Sequence, residues 1–314
     1  MEIPFPFIDP VILDLWGKFD LRWYGFGYVA GFFIAYWVLR NLSRAGRFPF
    51  TEVQVGNLLT WLVLGVMGGG RLGYAIFYER ALLKNPLRLL AIWEGGLSFH
   101  GGLLGVAIVG VLYSRRCKAP AAATADGFAL AVTPGIFLVR MANFIRGELY
   151  GRLAGPDALF TMRFPSDPEA HKLLGVEKLL GREQELAIQR AYADGTWEKV
   201  KAGVPLRHPS QLYEAAGEGI FLGLFLWAFI RIARARGWRI GNGCVFGLFL
   251  AGYGAYRFCI EWLRQPDEQL GLFLFELSMG QILCFFMIGA GAVLIRRALK
   301  NPQECERRGC ILWK

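Results

Sequence analysis

Seven transmembrane helices in a bundle, with a small extracytoplasmic head and interfacial arms, are what this sequence predicts: an all-α polytopic membrane protein. Three observations point there. The 314-residue chain is 54% hydrophobic and 15% aromatic, with 40 Gly and a mean hydropathy of +0.36, too apolar and too Gly-rich for an ordinary soluble domain. Apolar runs at 23–39, 55–78, 97–113, 125–145, 211–230, 240–262 and 272–295 each have about the length a helix needs to cross the hydrocarbon core. Lys and Arg, finally, collect in alternate connections between these runs.

Taken in order, residues 1–22 are expected to form an outer interfacial arm. Glu2, Asp9 and Asp14 stand where a signal peptide would be basic, and Pro4, Pro6 and Pro10 interrupt its apolar run. Helices one to four fall within 23–145. Between the second and third, near 79–96, Arg80, Lys84 and Arg88 alternate with Leu82, Leu83, Leu87, Leu89, Leu90 and Trp93, which reads as a second interfacial arm. Residues 146–207 are polar and mixed in charge, carry Pro156, Pro165 and Pro168, and then show a helix-like stretch near 177–193. They read as a small head inserted in the bundle, with a disordered loop as the alternative. Helices five to seven occupy 208–296, and 297–314 form a basic tail.

The net charge of +10 would suggest nucleic acid if it were spread over a soluble surface. Its placement argues otherwise. Arg40, Arg44 and Arg47 follow the first run, Arg115, Arg116 and Lys118 the third, Arg231, Arg234, Arg236 and Arg239 the fifth, and Arg296, Arg297 and Lys300 the seventh. The positive-inside rule puts these connections and the C-terminus in the cytoplasm and the N-terminus outside. Of the cysteines, Cys117, Cys305 and Cys310 fall in cytoplasmic segments and Cys244, Cys259 and Cys284 in spans, so no disulfide framework or zinc spacing is suggested. His171 and His208 have no ligand-like spacing to His100, and no metal is expected.

Orientation fixes the depth of the polar residues inside the runs. Tyr24, Arg71, His100, Arg140, Asn143, Gln211, Tyr213, Glu214, Glu218, Arg257 and Glu261 all come out in the outer leaflet. Ionisable groups at membrane depth are costly, so a shared depth argues for one polar pocket. Bland readings stand beside that one. Arg257 and Glu261, four apart, can pair along one helix face; Arg140 can snorkel; Glu214 and Glu218 can neutralise the arginines. His100 is flanked by Gly101 and Gly102, which suits either close approach of a ligand or tight helix packing. Several arginines at this depth imply an anionic partner, since guanidinium offers phosphate a planar fork that never titrates. Lipid headgroups are the anions present there.

The motifs resemble one family over nearly the whole chain, the bacterial prolipoprotein diacylglyceryl transferases. They run from Arg22-Trp23-Tyr24-Gly25 through Gly70-Arg71-Leu72-Gly73-Tyr74 and the Trp93 to Gly105 stretch to the signature between Arg140 and Gly151. They continue through His208-Pro209-Ser210-Gln211-Leu212-Tyr213-Glu214, Tyr256-Arg257-Phe258 with Glu261, and Arg264-Gln265-Pro266-Asp267, to Met279-Gly280-Gln281. The resemblance implies transfer of the diacylglyceryl group of phosphatidylglycerol to the lipobox cysteine of a prolipoprotein, in the bacterial inner membrane and with no cofactor. By position in the motifs, His100 is similar to the family's proposed base, and Arg140 and Arg257 to its phosphate-contacting arginines. Tyr24, Asn143, Glu148, Gly151 and Glu261 match other important positions, with Arg71 expected beside them as a substrate contact.

Two departures stand in the signature. The family pattern places Gly before the signature Asn and Asn at position 146, where this chain has Ala142 and Arg146. Two other readings compete: a lipid-headgroup transferase or phosphatase with another acceptor, and a lipid or drug transporter. A transporter needs polar residues in the inner half of the spans as well, and that half is nearly free of them.

Overall fold

A computed structural model describes residues 2–15, 20–91, 95–155, 158–265 and 277–301. Trp93, Pro266, Asp267, the start of the last apolar run and the tail with Cys305 and Cys310 lie outside them.

The chain is mostly helical. A short antiparallel pair, β1 (Val11–Asp14) and β2 (Asp20–Arg22), precedes α1 (Trp23–Arg44) and α2 (Glu52–Phe77). A 3₁₀ turn at Arg80–Lys84 leads to α3 (Pro86–Leu90), α4 (Phe99–Arg116) and α5 (Ala121–Arg146). The shorter α6 (Pro168–Leu174), α7 (Arg182–Ala193) and α8 (Thr196–Val200) follow. Then come α9 (Ser210–Glu214), a π-helix at Ala215–Phe221, α10 (Leu222–Ala235), α11 (Cys244–Ile260) and α12 (Met279–Lys300). Among the described residues four helical stretches, Glu52–Phe77, Ala121–Arg146, Ser210–Ala235 and Met279–Lys300, are long and apolar enough to cross a membrane by length and composition. That fits the all-helical membrane class. The 240–262 run yields only the 17-residue α11, because Gly243 adopts a φ of +93° just before it and the chain turns there.

Local chemistry sets several boundaries. Thr51 and Gln54 form a reciprocal capping box at the start of α2. Asn85 caps α3 ahead of Pro86, Ser98 caps α4, and Asp167 caps α6 ahead of Pro168. Gly175, left-handed at φ 67°, ends α6.

The chain divides into two compact units. One comprises residues 35–131, 227–248 and 293–314. Its α2 and α4 meet backbone to backbone: a Cβ on Gly69 would lie 2.4 Å from the Gly101 carbonyl oxygen, and one on Gly105 would lie 2.0 Å from that of Gly65. Only glycine permits that approach, as small residues do at helix contacts in lipid. Here too the fully buried Asp126 accepts the backbone N–H groups of Gly243 (2.7 Å) and Phe246 (2.8 Å), satisfying the N-terminal donors of α11.

The other unit comprises residues 1–34, 132–226 and 249–292. Its N-terminal arm is pinned to the polar segment between α5 and α9. Asp9 accepts two bonds from Arg182 at 2.7 and 3.0 Å, Arg22 pairs with Glu185 at 2.8 Å, and Ile3 N–H donates to Thr161. Phe7, Tyr192 and Trp197 stack in sequence, and Phe5, Phe144, Met162 and Phe164 form a buried cluster. The segment is therefore packed chain, with a core of Ala170, Trp197 and Val204.

Candidate active site

The arginines expected to bind phosphate are gathered by one carboxylate. Glu214, at the end of α9, is fully buried and takes Arg140 Nε at 2.8 Å, Arg257 Nη1 at 2.8 Å and Arg264 Nη1 at 3.0 Å. Glu218, one turn on, is also fully buried and lies 3.6 Å from Arg140 and 3.5 Å from Arg257. Arg257 Nη2 continues to Glu261 at 3.2 Å, whose other oxygen accepts the Ser278 hydroxyl at 3.1 Å. Side-chain exposure decides the layering: Arg140 at 17% and Arg257 at 14% are reachable, whereas Glu214 and Glu218 at 0% stand behind them.

The π-helix builds this arrangement. Wide i→i+5 turns are uncommon and tend to mark functional sites; this one begins directly after Glu214 and carries Glu218. Gly217 within it is required by space, since a Cβ there would sit 1.9 Å from Cζ of Tyr256. The Tyr256 hydroxyl in turn donates to the Tyr213 carbonyl at 2.8 Å.

Asn143, buried in the last turn of α5, donates to Glu148 Oε1 at 2.8 Å, and the Glu148 N–H returns to the Asn143 carbonyl at 3.0 Å. Glu148 Oε2 pairs with Arg146 Nε at 3.3 Å, so the cation that departs from the family pattern is half-exposed and engaged by a neighbour. Gly151 donates its N–H to the His208 carbonyl at 2.7 Å. A Cβ there would meet the Leu263 carbonyl oxygen at 2.4 Å, so the glycine lets two strands of backbone touch. Tyr24, in the first turn of α1, lines a crevice of about 20 Å3 with Pro10, Arg22, Trp23, Ala142, Ile145 and Arg146.

His100 and Arg71 belong to the unit containing α2 and α4. His100 is exposed in the first turn of α4, its ring edge-on to Phe99 at 5.7 Å. Arg71, only 5% exposed, donates to four backbone carbonyls: Leu89 (3.1 Å), Arg88 (2.8 Å), Gly96 (3.3 Å) and Gly95. A guanidinium has five N–H donors, so Arg71 is a clamp on the loop that enters α4 and has little left for a substrate. The Ser98 N–H completes that clamp by donating to the Gly70 carbonyl at 2.9 Å.

Sequence reasoning quoted Arg264 within a family-like motif but gave it no role at the site, and it did not single out Ser278 or Asp126. Arg264 lies one heptad beyond Arg257, a spacing that could have found it. Ser278 and Gln281 form the S-x-x-Q signature of a capping box, with reciprocal bonds at 3.2 and 3.0 Å. Asp126 bonds to residues over a hundred positions away and left no local signal.

Outside the membrane-spanning stretches, Arg182 holds the Asp9 carboxyl below the usual carboxylate range, and burial pushes the His171 and His208 imidazoles down. Among the described residues no cluster of three or more His, Cys, Asp or Glu side chains is placed to hold a metal ion.

The sequence profile of the family described as prolipoprotein diacylglyceryl transferase matches residues 10–297. Relatives named phosphatidylglycerol–prolipoprotein diacylglyceryl transferase from Yersinia enterocolitica and Salmonella paratyphi B are each 42% identical over 306 residues, covering 96% of this chain and 97% of the relative. A profile match over nearly the full length and relatives of this similarity place the chain plainly: it belongs to the prolipoprotein diacylglyceryl transferase family.

Proposed function

We propose that this protein transfers the diacylglyceryl group of phosphatidylglycerol to the lipobox cysteine thiol of an exported prolipoprotein, forming a thioether and releasing glycerol phosphate. The observation that carries the reading is the pair of partly exposed guanidiniums, Arg140 and Arg257, fixed on the buried Glu214 within otherwise apolar helices. The names of the relatives, phosphatidylglycerol–prolipoprotein diacylglyceryl transferase, support phosphatidylglycerol as donor and a prolipoprotein as acceptor.

In this reading a base removes the thiol proton, because a free thiol with a pKa near 8.5 is mostly protonated at neutral pH. The thiolate attacks the glycerol carbon, the carbon–oxygen bond breaks, and its electron pair leaves on the phosphate. Arg140 and Arg257 stabilise the charge that grows on the departing oxygens. His100 is assigned the base role on its glycine-flanked position and motif. Tyr24, Asn143, Glu148, Gly151 and Glu261 are assigned to the substrate site. Arg71 is assigned to hold the loop before His100, a revision of the substrate contact expected from its motif.

The topology that goes with this function has seven spans in the bacterial inner membrane. The N-terminus and the 146–207 head lie outside and the C-terminus in the cytoplasm, as the alternation of basic connections supports. The reaction is tested by incubating the purified protein with phosphatidylglycerol and a lipobox peptide. A thioether-linked diacylglyceryl adduct detected by mass spectrometry is the expected product; unmodified peptide with folded protein and both substrates present overturns the assignment.

A further inference from the structure

We propose that Glu218 sets which phosphate the arginine cluster keeps, allowing it to hold a monoanionic phosphodiester and to let go of the dianionic phosphomonoester that the reaction makes. The inference deepens the transfer reading above and rests on it.

Charge count is the first argument. Among the described residues the cluster contains three guanidiniums, Arg140, Arg257 and Arg264, and three carboxylates, Glu214, Glu218 and Glu261. Three arginines alone would be a strong trap for any phosphate. With three carboxylates beside them, the site offers directed N–H donors but little net positive charge.

Distance separates the carboxylates by task. Glu214 is within 3.0 Å of all three guanidiniums and holds their geometry. Glu261 is tied to Arg257 at 3.2 Å and to Ser278 at 3.1 Å. Glu218 sits between Arg140 and Arg257 at 3.6 and 3.5 Å, longer than a charge-assisted hydrogen bond. It is therefore placed to act on both arginines through its charge while fixing the position of neither. At 0% exposure it stands behind them, out of reach of the ligand.

The chemistry makes such a residue useful. Phosphatidylglycerol presents a phosphodiester with one negative charge. Transfer forms a sulfur–carbon bond and breaks a carbon–oxygen bond; the thiol proton goes to the base, and the phosphate leaves as a monoester whose second ionisation lies near pH 6. At neutral pH the product therefore carries nearly one more negative charge than the substrate did. Donors that favour the transition state would also retain this product. A buried carboxylate beside them repels a dianion about twice as strongly as a monoanion at the same place, because interaction energy scales with the product of charges.

The test measures binding of glycerol phosphate, a monoester, and of glycerophosphoglycerol, the diester with one further glycerol, to the purified full-length protein by calorimetry at pH 7.5. Wild type is expected to bind the diester at least as well as the monoester. Glu218→Gln, which removes the charge and keeps the shape, is expected to bind glycerol phosphate on the order of tenfold tighter, to gain less for the diester, and to become sensitive to product inhibition. Glu214→Gln, which cuts the clamp, is expected to weaken both. A folded Glu218→Gln protein with unchanged or weaker affinity for glycerol phosphate overturns the proposal. If that variant does not fold, a wild-type preference for the monoester overturns it instead. Wild type that makes no thioether adduct defeats the transfer reading itself, a result separate from either binding outcome.

Discussion

Arg257, in the last turn of α11, pairs at 3.2 Å with Glu261, the first residue beyond the end of that helix. Such a pair could have been the whole explanation for two charges inside an apolar run. It is one edge of a larger cluster, because the other terminal nitrogen of Arg257 reaches Glu214 at 2.8 Å. Through Glu214 the three elements α5, α9 and α11 are joined by charge where their surroundings are apolar.

Replacing Arg140 or Arg257 by Lys keeps the charge and removes the planar fork. Each substitution should lower phosphatidylglycerol-dependent transfer on the order of a hundredfold or more, because a point charge on a flexible stem satisfies neither Glu214 nor a phosphate in the same way. Initial rates with a lipobox peptide measure it. Near-normal transfer in both variants would show that charge alone suffices.

For His100 the informative readout is pH. If the imidazole takes the thiol proton, His100→Gln should bind lipid, lose on the order of a hundred- to ten-thousand-fold in rate at pH 7, and recover relative to wild type as pH rises and the thiol ionises unaided. A folded, lipid-binding variant whose relative rate is the same at pH 7 and pH 9 would remove His100 from the base role.

Acid should loosen the segment between α5 and α9 in two stages. Burial lowers the His171 and His208 imidazoles from an ordinary 6.5, so the unfolded segment binds more protons over that interval. Their contribution to stability is complete above pH 6.5 and declines as pH falls below it. Asp9 is lowered from 3.8 by Arg182, so its contribution survives until pH falls below about that value. Hydrogen exchange, corrected for intrinsic rates, should show lost protection in α6 and α7 between pH 7.5 and 5.5, with the arm at Asp9 still protected. Equal protection of α6 and α7 at both pH values would contradict this.

Topology has a direct assay. Reporter fusions within 177–200 and within 231–239 should report opposite faces of the membrane, the first outside and the second cytoplasmic. The same face for both would reverse the orientation assigned from the basic connections.

Helical class was legible because composition and run length are properties of the chain alone. Depth also grouped Arg140, Glu214, Glu218, Arg257 and Glu261, since orientation converts sequence position into height. Height does not give partners. It listed Arg71 with the same group, yet the guanidinium is occupied by the carbonyls at 88, 89, 95 and 96, and nothing in an isolated Gly-Arg-Leu-Gly announces that. Asp126 escaped notice because a carboxylate near the start of an apolar run looks like an interfacial charge; its partners, Gly243 and Phe246, are brought to it only by the fold. The β1–β2 pair was hidden by its brevity, four residues against three.

The π-helix at Ala215–Phe221 has a consequence for how this protein can vary. Its wide turns accommodate more chain than α-helix would over the same rise, so helix on its far side is rotated relative to an uninterrupted helix by up to ~100°, the angle of one α-helical residue. An in-frame loss of a single codon between 215 and 221, other than that of Glu218, would let the stretch relax to α-helix and swing all of Leu222–Ala235 around its axis, while leaving every polar side chain of the cluster encoded. Such a protein would keep the same composition and hydropathy and still present the wrong face of α10 to its neighbours. Residue count across these seven positions is thus under tighter physical constraint than the identity of most of them.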